Sequence, residues 1–141
     1  MDASTLLDHH AIVDRLALMS EICDSRAWHR LAQVMDADVV AYGATGIDAV
    51  IEENLRRFLG GCGPSQHLLG NHRVQVDGDT AGSTCEARVF HQGKGEREHL
   101  TWECFGTYRD RWVRTPEGWR MTERIFDVRA AVGDFSVLQP G

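Results

Sequence analysis

The sequence predicts an α+β domain in which helices cover one face of a curved antiparallel sheet. Three observations carry that prediction. Apolar residues recur with helical spacing as far as the Gly60–Gly61 pair, and with period two after Pro64. The period-two segments are separated by the turn compositions DGDTAG, QGKGE and TPEG. Helices first and a long run of strands afterwards is the order of an α+β architecture rather than of alternating βα units. The 141 residues suit one domain, spanning 1–141, large enough to bury a core.

The elements follow in order. Ile12, Leu16, Met19 and Cys23 lie at i, i+4, i+7 and i+11, one stripe along a first helix, with Ser4 or Asp8 placed to cap its start. At CDSRAWHRL the stripe ends, and a short second helix is expected to turn Ala27, Leu31 and Val34 or Met35 to the core. ADVVAYG reads as a short strand carrying Tyr42 and closed by Gly43. IDAVIEENLRRFLGG is a third, amphipathic helix with Val50, Ile51, Leu55, Phe58 and Leu59 apolar, stopped by its glycine pair. Four strands are expected near 65–77, 83–93, 98–114 and 118–130.

With 43% hydrophobic and 26% charged residues, the chain has the composition of a folded protein. Its formal charge is -6, and its arginines alternate with acids in RDRWVR and GEREHL, so it lacks the basic patch that nucleic acid requires. Cys23, Cys62, Cys85 and Cys104 form no C-x-x-C pair and are expected as reduced, packed thiols of a cytoplasmic protein. MDASTLLDHH has neither the basic nor the apolar region of a secretory signal, and no apolar run approaches the ~18 residues of a membrane span. Neither a metal nor a cofactor is expected: no histidine or cysteine pair has ligand spacing, and no glycine-rich phosphate loop occurs.

Strand parity points to a pocket. Cys85, Ala87, Val89 and His91 share one face, and Leu100, Trp102, Cys104, Gly106, Tyr108 and Trp112 share another. Small residues within these rows leave room for a cavity. In SQHLLGNHRV, His67 and Leu69 share a parity opposite to that of His72, Val74 and Val76, although both sets look inward-facing. One extra residue near Gly70–Asn71 reconciles them, because a β-bulge shifts the parity by one. His67 then points into the concave face, while His72 packs structurally. Asp24 stands at the inner end of the first helix, so Asp24, His67 and His91 form three titratable groups aimed at one apolar cavity. A carboxylate beside an imidazole fixes its tautomer and raises its basicity, which suits a general base near neutral pH. Tyr42, Tyr108 and Arg129 are candidate donors to a substrate oxygen, and Trp102 a candidate wall. The plainer readings are a core histidine satisfied by a backbone carbonyl, a capping aspartate and packing tyrosines.

CDSRAW, VVAYG, SQHLLGNHRVQVDGDTA, VFHQ and the closing GWRMTERIFDVR together resemble, in order and spacing, the SnoaL-like branch of the nuclear-transport-factor-two-like superfamily, and scytalone dehydratases and bile-acid 7α-dehydratases most. The resemblance implies a cone-shaped α+β barrel: a curved antiparallel sheet packed with three N-terminal helices. It implies a catalytic dyad at Asp24 and His67, a second pocket histidine at His91, a substrate-contacting Tyr42 and a pocket-mouth Arg129. Cys23 stands where scytalone dehydratase has a tyrosine, and Gly106 or Thr107 and Tyr108 stand for its serine and asparagine, so the ligand contacts differ.

The expected activity is a cofactor-independent lyase of the dehydratase type, acting on a small hydrophobic cyclic or polyketide-like molecule. Alternatives are an isomerase or cyclase of the same fold, and a non-catalytic binding or accessory subunit. The resemblance further implies a homo-oligomer, dimer or trimer. A separation of Asp24 and His67 beyond about 5 Å, or a cavity filled by Trp102 and Trp112, would exclude the enzyme; a pocket of about 300 Å³ or more with those groups convergent would support it.

Overall fold

The structure, a computed structural model, describes residues 1–138. Helix α1 (Ala3–Ser25) buries Ile12, Leu16, Met19, Ile22 and Cys23, the expected stripe with one further member. Its cap is Asp2, whose carboxylate accepts the Thr5 N–H at 2.8 Å, rather than Ser4 or Asp8. Asp8 instead accepts two hydrogen bonds from Arg114, at 2.7 and 2.9 Å, tying the start of the helix to the far end of the sheet. A 3₁₀ segment (Trp28–Gln33) replaces the expected second helix and buries Trp28 and Leu31.

Strands β1 (Met35–Ala41) and β2 (Ala44–Thr45) form a hairpin whose two-residue turn is Tyr42–Gly43. Both turn residues have positive φ, 53° and 79°, as a primed turn requires. Tyr42 therefore sits at a turn and not within a strand. The third helical region begins as α2 (Ile47–Val50), widens into a π-helical turn (Ile51–Leu55) and closes as α3 (Arg56–Leu59). Strands β3 (Ser65–Asp77), β4 (Thr80–Gln92), β5 (Thr101–Thr115) and β6 (Gly118–Gly133) form the expected antiparallel meander.

The sheet order is β2-β1-β6-β5-β4-β3, and β1 runs parallel to β6. The sheet is therefore mixed, and it curves around a core that faces α1. The anticipated bulge is present: the β3–β4 register shifts between Gly70 and Arg73, and Asn71 takes φ 52°. Exposure along β3 alternates in one phase up to Leu69 and in the opposite phase from His72 onward. A second register shift lies between Phe105 and Gly106 where β5 meets β6. A side chain at Gly106 would place its Cβ 2.5 Å from the Asp127 carbonyl oxygen and 2.8 Å from the Phe126 ring, so only glycine permits this approach of the strands.

Asp110 and Arg124 face each other inside the core, with side chains 0% and 3% exposed. The guanidinium donates to both carboxylate oxygens, at 2.7 and 3.0 Å, and lies 3.7 Å from the Tyr108 ring centroid. Burial opposes the Arg124 charge, and the Asp110 carboxylate, together with Tyr42 and Tyr108, outweighs that effect and keeps the group protonated. Removing one partner leaves the other as an unpaired buried charge. Asp110→Ala is expected to lower the stability by about 3–5 kcal/mol in urea denaturation, and replacing both residues by Leu and Met to recover most of that loss.

Candidate active site

The third helical region, the start of β3 and the inner faces of β4, β5 and β6 line a cavity of about 240 Å³; Asp24, at the end of α1, stands behind His67 and is not among the lining residues. This is somewhat smaller than the ~300 Å³ typical of drug-sized ligands. His67, His91, Tyr42, Tyr108 and Trp102 all line it. Trp112 does not; it is 1% exposed in the core and donates its indole N–H to the Ser83 hydroxyl.

Asp24 reaches β3 from the last turn of α1. Its Oδ1 lies 2.7 Å from Nδ1 of His67, and its Oδ2 accepts the His67 backbone N–H at 2.9 Å. The Ser65 hydroxyl donates to the same Oδ1 at 2.8 Å. Burial pushes the Asp24 carboxyl up, but the His67 ring, the His67 backbone N–H and Ser65 together hold it below the usual carboxylate value. An ionised carboxylate can only accept, so Nδ1 of His67 carries the hydrogen, and in the neutral ring Nε2 holds the lone pair.

His91 is 4% exposed, and its Nδ1 donates to the Trp102 carbonyl at 3.0 Å. The plainer reading of an inward histidine thus describes half of this ring, and Nε2 is again left as an acceptor. Burial lowers the His91 pKa, the Trp102 hydrogen bond opposing it and the neighbouring His67 adding to it. The two imidazole centroids lie 6.4 Å apart with planes at 75°. Tyr108 is stacked on Phe126 at 4.2 Å on one side and on Arg124 on the other. Burial raises the pKa of both Tyr42 and Tyr108, so both phenols hold their protons at neutral pH.

Arg129 is placed elsewhere. It is exposed on the outer face of the sheet and paired with Glu86 of β4, outside the cavity lining. Phe126 and Val128 line the cavity, so simple alternation turns the next residue, Arg129, to the other face, and Arg129 is also the extra residue of the β5–β6 bulge. The arginine near the site is instead Arg124, beneath Tyr108. Sequence reasoning also missed Asn54 and Phe58 from the third helical region and Phe135 and Leu138 from the C-terminal 3₁₀ turn (Phe135–Leu138), all of which line the cavity. The apolar periodicity of LRRFL signals Phe58; nothing in the sequence signals the return of Phe135 to Trp102, 5.1 Å between ring centroids.

All four cysteines are free and buried. Burial pushes Cys23 up to about 12 and Cys85 and Cys104 up to about 11, which makes them packing thiols rather than nucleophiles. A larger open groove of about 870 Å³ crosses the outer face of the sheet past Arg73, Arg109, Arg111 and Glu123. It is lined by none of Asp24, His67 and His91. Among the described residues, no helix is long and apolar enough to cross a membrane.

A curved sheet around an apolar cavity, with His67 on its wall and Asp24 bound behind it, has the fold of nuclear-transport-factor-two-like proteins. The chain belongs to the SnoaL-like domain family, whose model matches residues 4–125. It is 34% identical over 133 residues to the uncharacterized protein Rv2910c of Mycobacterium tuberculosis, covering 89% of this chain and 88% of that one. Among solved structures, the Kfla4162 protein of Kribbella flavida is similar with a TM-score of 0.84 at 20% identity, covering 97% of this chain and 99% of that one. A candidate scytalone dehydratase of Novosphingobium aromaticivorans gives 0.84 at 21%, covering 94% and 91%. The hexachlorocyclohexane dehydrochlorinase LinA-type3 of Novosphingobium barchaimii gives 0.77 at 15%, covering 95% and 94%. At these identities the structural likenesses are likenesses of fold.

The burial of His91 has a consequence for stability. Its pKa is lower in the folded chain than the ordinary 6.5 it has when unfolded, so the unfolded state binds the proton first as pH falls. The stability is therefore complete above pH 6.5 and is lost as pH falls from there through the folded value. His91→Gln, which keeps a donor for the Trp102 carbonyl, is expected to flatten urea midpoints plotted over that window; a curve parallel to wild type would show that His91 does not titrate with folding.

Proposed function

We propose that the chain is a cofactor-independent lyase of the dehydratase type, acting on a small hydrophobic cyclic or polyketide-like molecule. The observation that carries this reading is the 2.7 Å contact between Asp24 and Nδ1 of His67, which leaves Nε2 as the free base on a residue lining an apolar cavity. In the proposed reaction Nε2 takes a proton adjacent to a carbonyl, and Asp24 stabilises the imidazolium that results. His91 enters as an acceptor for a substrate hydroxyl rather than as the acid, because burial keeps it neutral. The leaving oxygen takes its proton from the His67 imidazolium, while the phenols of Tyr42 and Tyr108 donate to the oxygen on which negative charge develops.

The names of the similar folds include a dehydratase and a dehydrochlorinase, both names of eliminations, which supports the class of reaction without choosing a substrate. An isomerase begins with the same abstraction and returns the proton from Nε2 of His67 to another carbon of the substrate, so the same Asp24–His67 geometry supports it as the other reading. We infer a cytoplasmic homo-oligomer as part of the proposal. The four buried free thiols suit a reducing compartment, and Val128, Val132 and Phe135, exposed at the end of β6 and just beyond, suit an interface between copies.

The test is turnover of a panel of small cyclic β-hydroxy ketones by wild type, His67→Ala and Asp24→Asn. His67→Ala is expected to lose on the order of 10²–10⁴-fold in kcat/KM, and Asp24→Asn to fall by a similar or smaller factor. Equal turnover by all three proteins excludes the dyad, and product analysis separates elimination from isomerisation.

A further inference from the structure

The most heavily bonded side chain near the dyad is one that the proposed reaction does not use. Arg26 follows α1 as its C-cap and holds φ 58°, the left-handed region that glycine usually fills at this position. A non-glycine residue persists there only where its surroundings over-determine it. Here the guanidinium does so. Its Nε–H donates to the Leu59 carbonyl at 3.0 Å, and Nη2 to the Gly63 carbonyl at 2.7 Å. Nη1 donates to the Cys23 carbonyl at 2.8 Å and to the Ser65 hydroxyl oxygen at 2.7 Å. One side chain thus pins the end of α1 to the loop that leads into β3.

The contact with Ser65 has a direction. Arginine has no acceptor, so the Ser65 oxygen must accept from it. The hydroxyl proton is then free to point only away from Arg26, and Oδ1 of Asp24 lies 2.8 Å off to receive it. That oxygen also receives Nδ1–H of His67. Every donor and acceptor in the chain Arg26, Ser65, Asp24, His67 is therefore assigned, and no member can reverse without leaving a neighbour unsatisfied.

We propose that Arg26 and Ser65 are positioning residues for the Asp24–His67 pair: their one-way run of hydrogen bonds fixes the carboxylate and keeps the hydrogen of His67 on Nδ1, so that Nε2 faces the cavity as an acceptor. The proposal rests on the reading of His67 as a base for its use in catalysis, but the geometry it describes is measurable without substrate. Besides Arg26, the titratable groups around the Asp24 carboxylate are Cys23 on its own helix, His67 on β3, His91 on β4 and Cys62 in the loop before β3.

The experiment is nuclear magnetic resonance on the full chain, reading the His67 tautomer from its ring ¹⁵N shifts and the Asp24 titration from its ¹³C carboxyl shift. Wild type is expected to show Nδ1–H with Nε2 bare. Ser65→Ala is expected to move the Asp24 midpoint upward by about half a pH unit and to mix the two tautomers, because one donor to the carboxylate is lost. Ser65→Thr, which keeps the hydroxyl, is expected to match wild type, and Arg26→Gln to follow Ser65→Ala. Ser65→Ala leaves the carbonyl bonds of Arg26 in place, so it carries the test if Arg26→Gln does not fold. An unchanged Asp24 midpoint and tautomer in Ser65→Ala, or Nε2–H in wild type, overturns the proposal; a wild-type response in a folded Arg26→Gln removes Arg26 from it. Inactivity of wild type toward every substrate would count against the lyase while leaving these shifts untouched, so the two failures are distinguishable.

Discussion

The structure turns on one carboxylate placed where a helix does not favour it. Asp24 lies in the last turn of α1, at the negative end of the helix dipole, where an anion is destabilised. It is only 24% exposed, so water does little to compensate. The compensation comes from β3, through the His67 ring, the His67 backbone N–H and the Ser65 hydroxyl. These donors belong to residues i and i+2 of one strand and so share a face. A slip of β3 by one residue would present Gln66 and Leu68 instead. The register of the strand, the packing of the helix on the sheet and the formation of the Asp24–His67 pair are therefore one event: whatever disturbs the first disturbs the third.

The curvature that makes room for a ligand has its own local causes. The bulge at Gly70–Arg73 lets β3 present His67 at one end and Val74 and Val76 at the other to the same interior. The shift at Gly106 brings β6 over β5 closely enough that no side chain fits between them. In both places a residue is inserted against a partner strand, and the parity of everything beyond it changes. A further shift between Arg111 and Trp112 makes Thr122 the extra residue and sets the parity that turns Arg124, Phe126 and Val128 inward, so the cavity wall is decided by such irregularities as much as by the strands themselves.

That explains which parts were legible in the sequence. The bulge in β3 was readable because it left a visible contradiction, two inward sets of opposite parity within SQHLLGNHRV. The β6 bulge leaves none, since DVRAAV offers no apolar alternation to break, and nothing in it shows that Arg129 faces away from the cavity. Asp24, His67 and His91 were placed from a helical stripe and a strand row, both of which run unbroken up to those residues. Tyr42 reads as a strand residue because AYG hides a primed turn, whose first residue is more often Asn or Gly. The parallel pairing of β1 with β6 joins segments some eighty residues apart, and no local pattern encodes it. The ion pair of Asp110 and Arg124 was partly legible: Asp110 shares the parity of Tyr108 and Trp112, and an inward acid demands a cation.

That ion pair completes the physical picture of the cavity. Its imidazole end carries two bare nitrogens held in place by Asp24 and by the Trp102 carbonyl. Its phenol end carries Tyr42 and Tyr108, kept protonated by burial, with a guanidinium behind them whose charge Asp110 largely balances. Between the two ends the wall is apolar, from Leu55, Phe58, Val89 and Phe126. On the proposed reading, a proton leaves a substrate at one end and negative charge gathers at the other. Donors aimed at that charge act most strongly where water is excluded and where they need not reorganise. A phenol clamped between an arginine and a phenylalanine satisfies the second condition directly. The buried pair at Asp110 and Arg124 therefore has a reason to be ionic that its contribution to stability does not supply. An apolar replacement could hold the fold, yet it would remove the positive charge that supports a donor at the far end from the base.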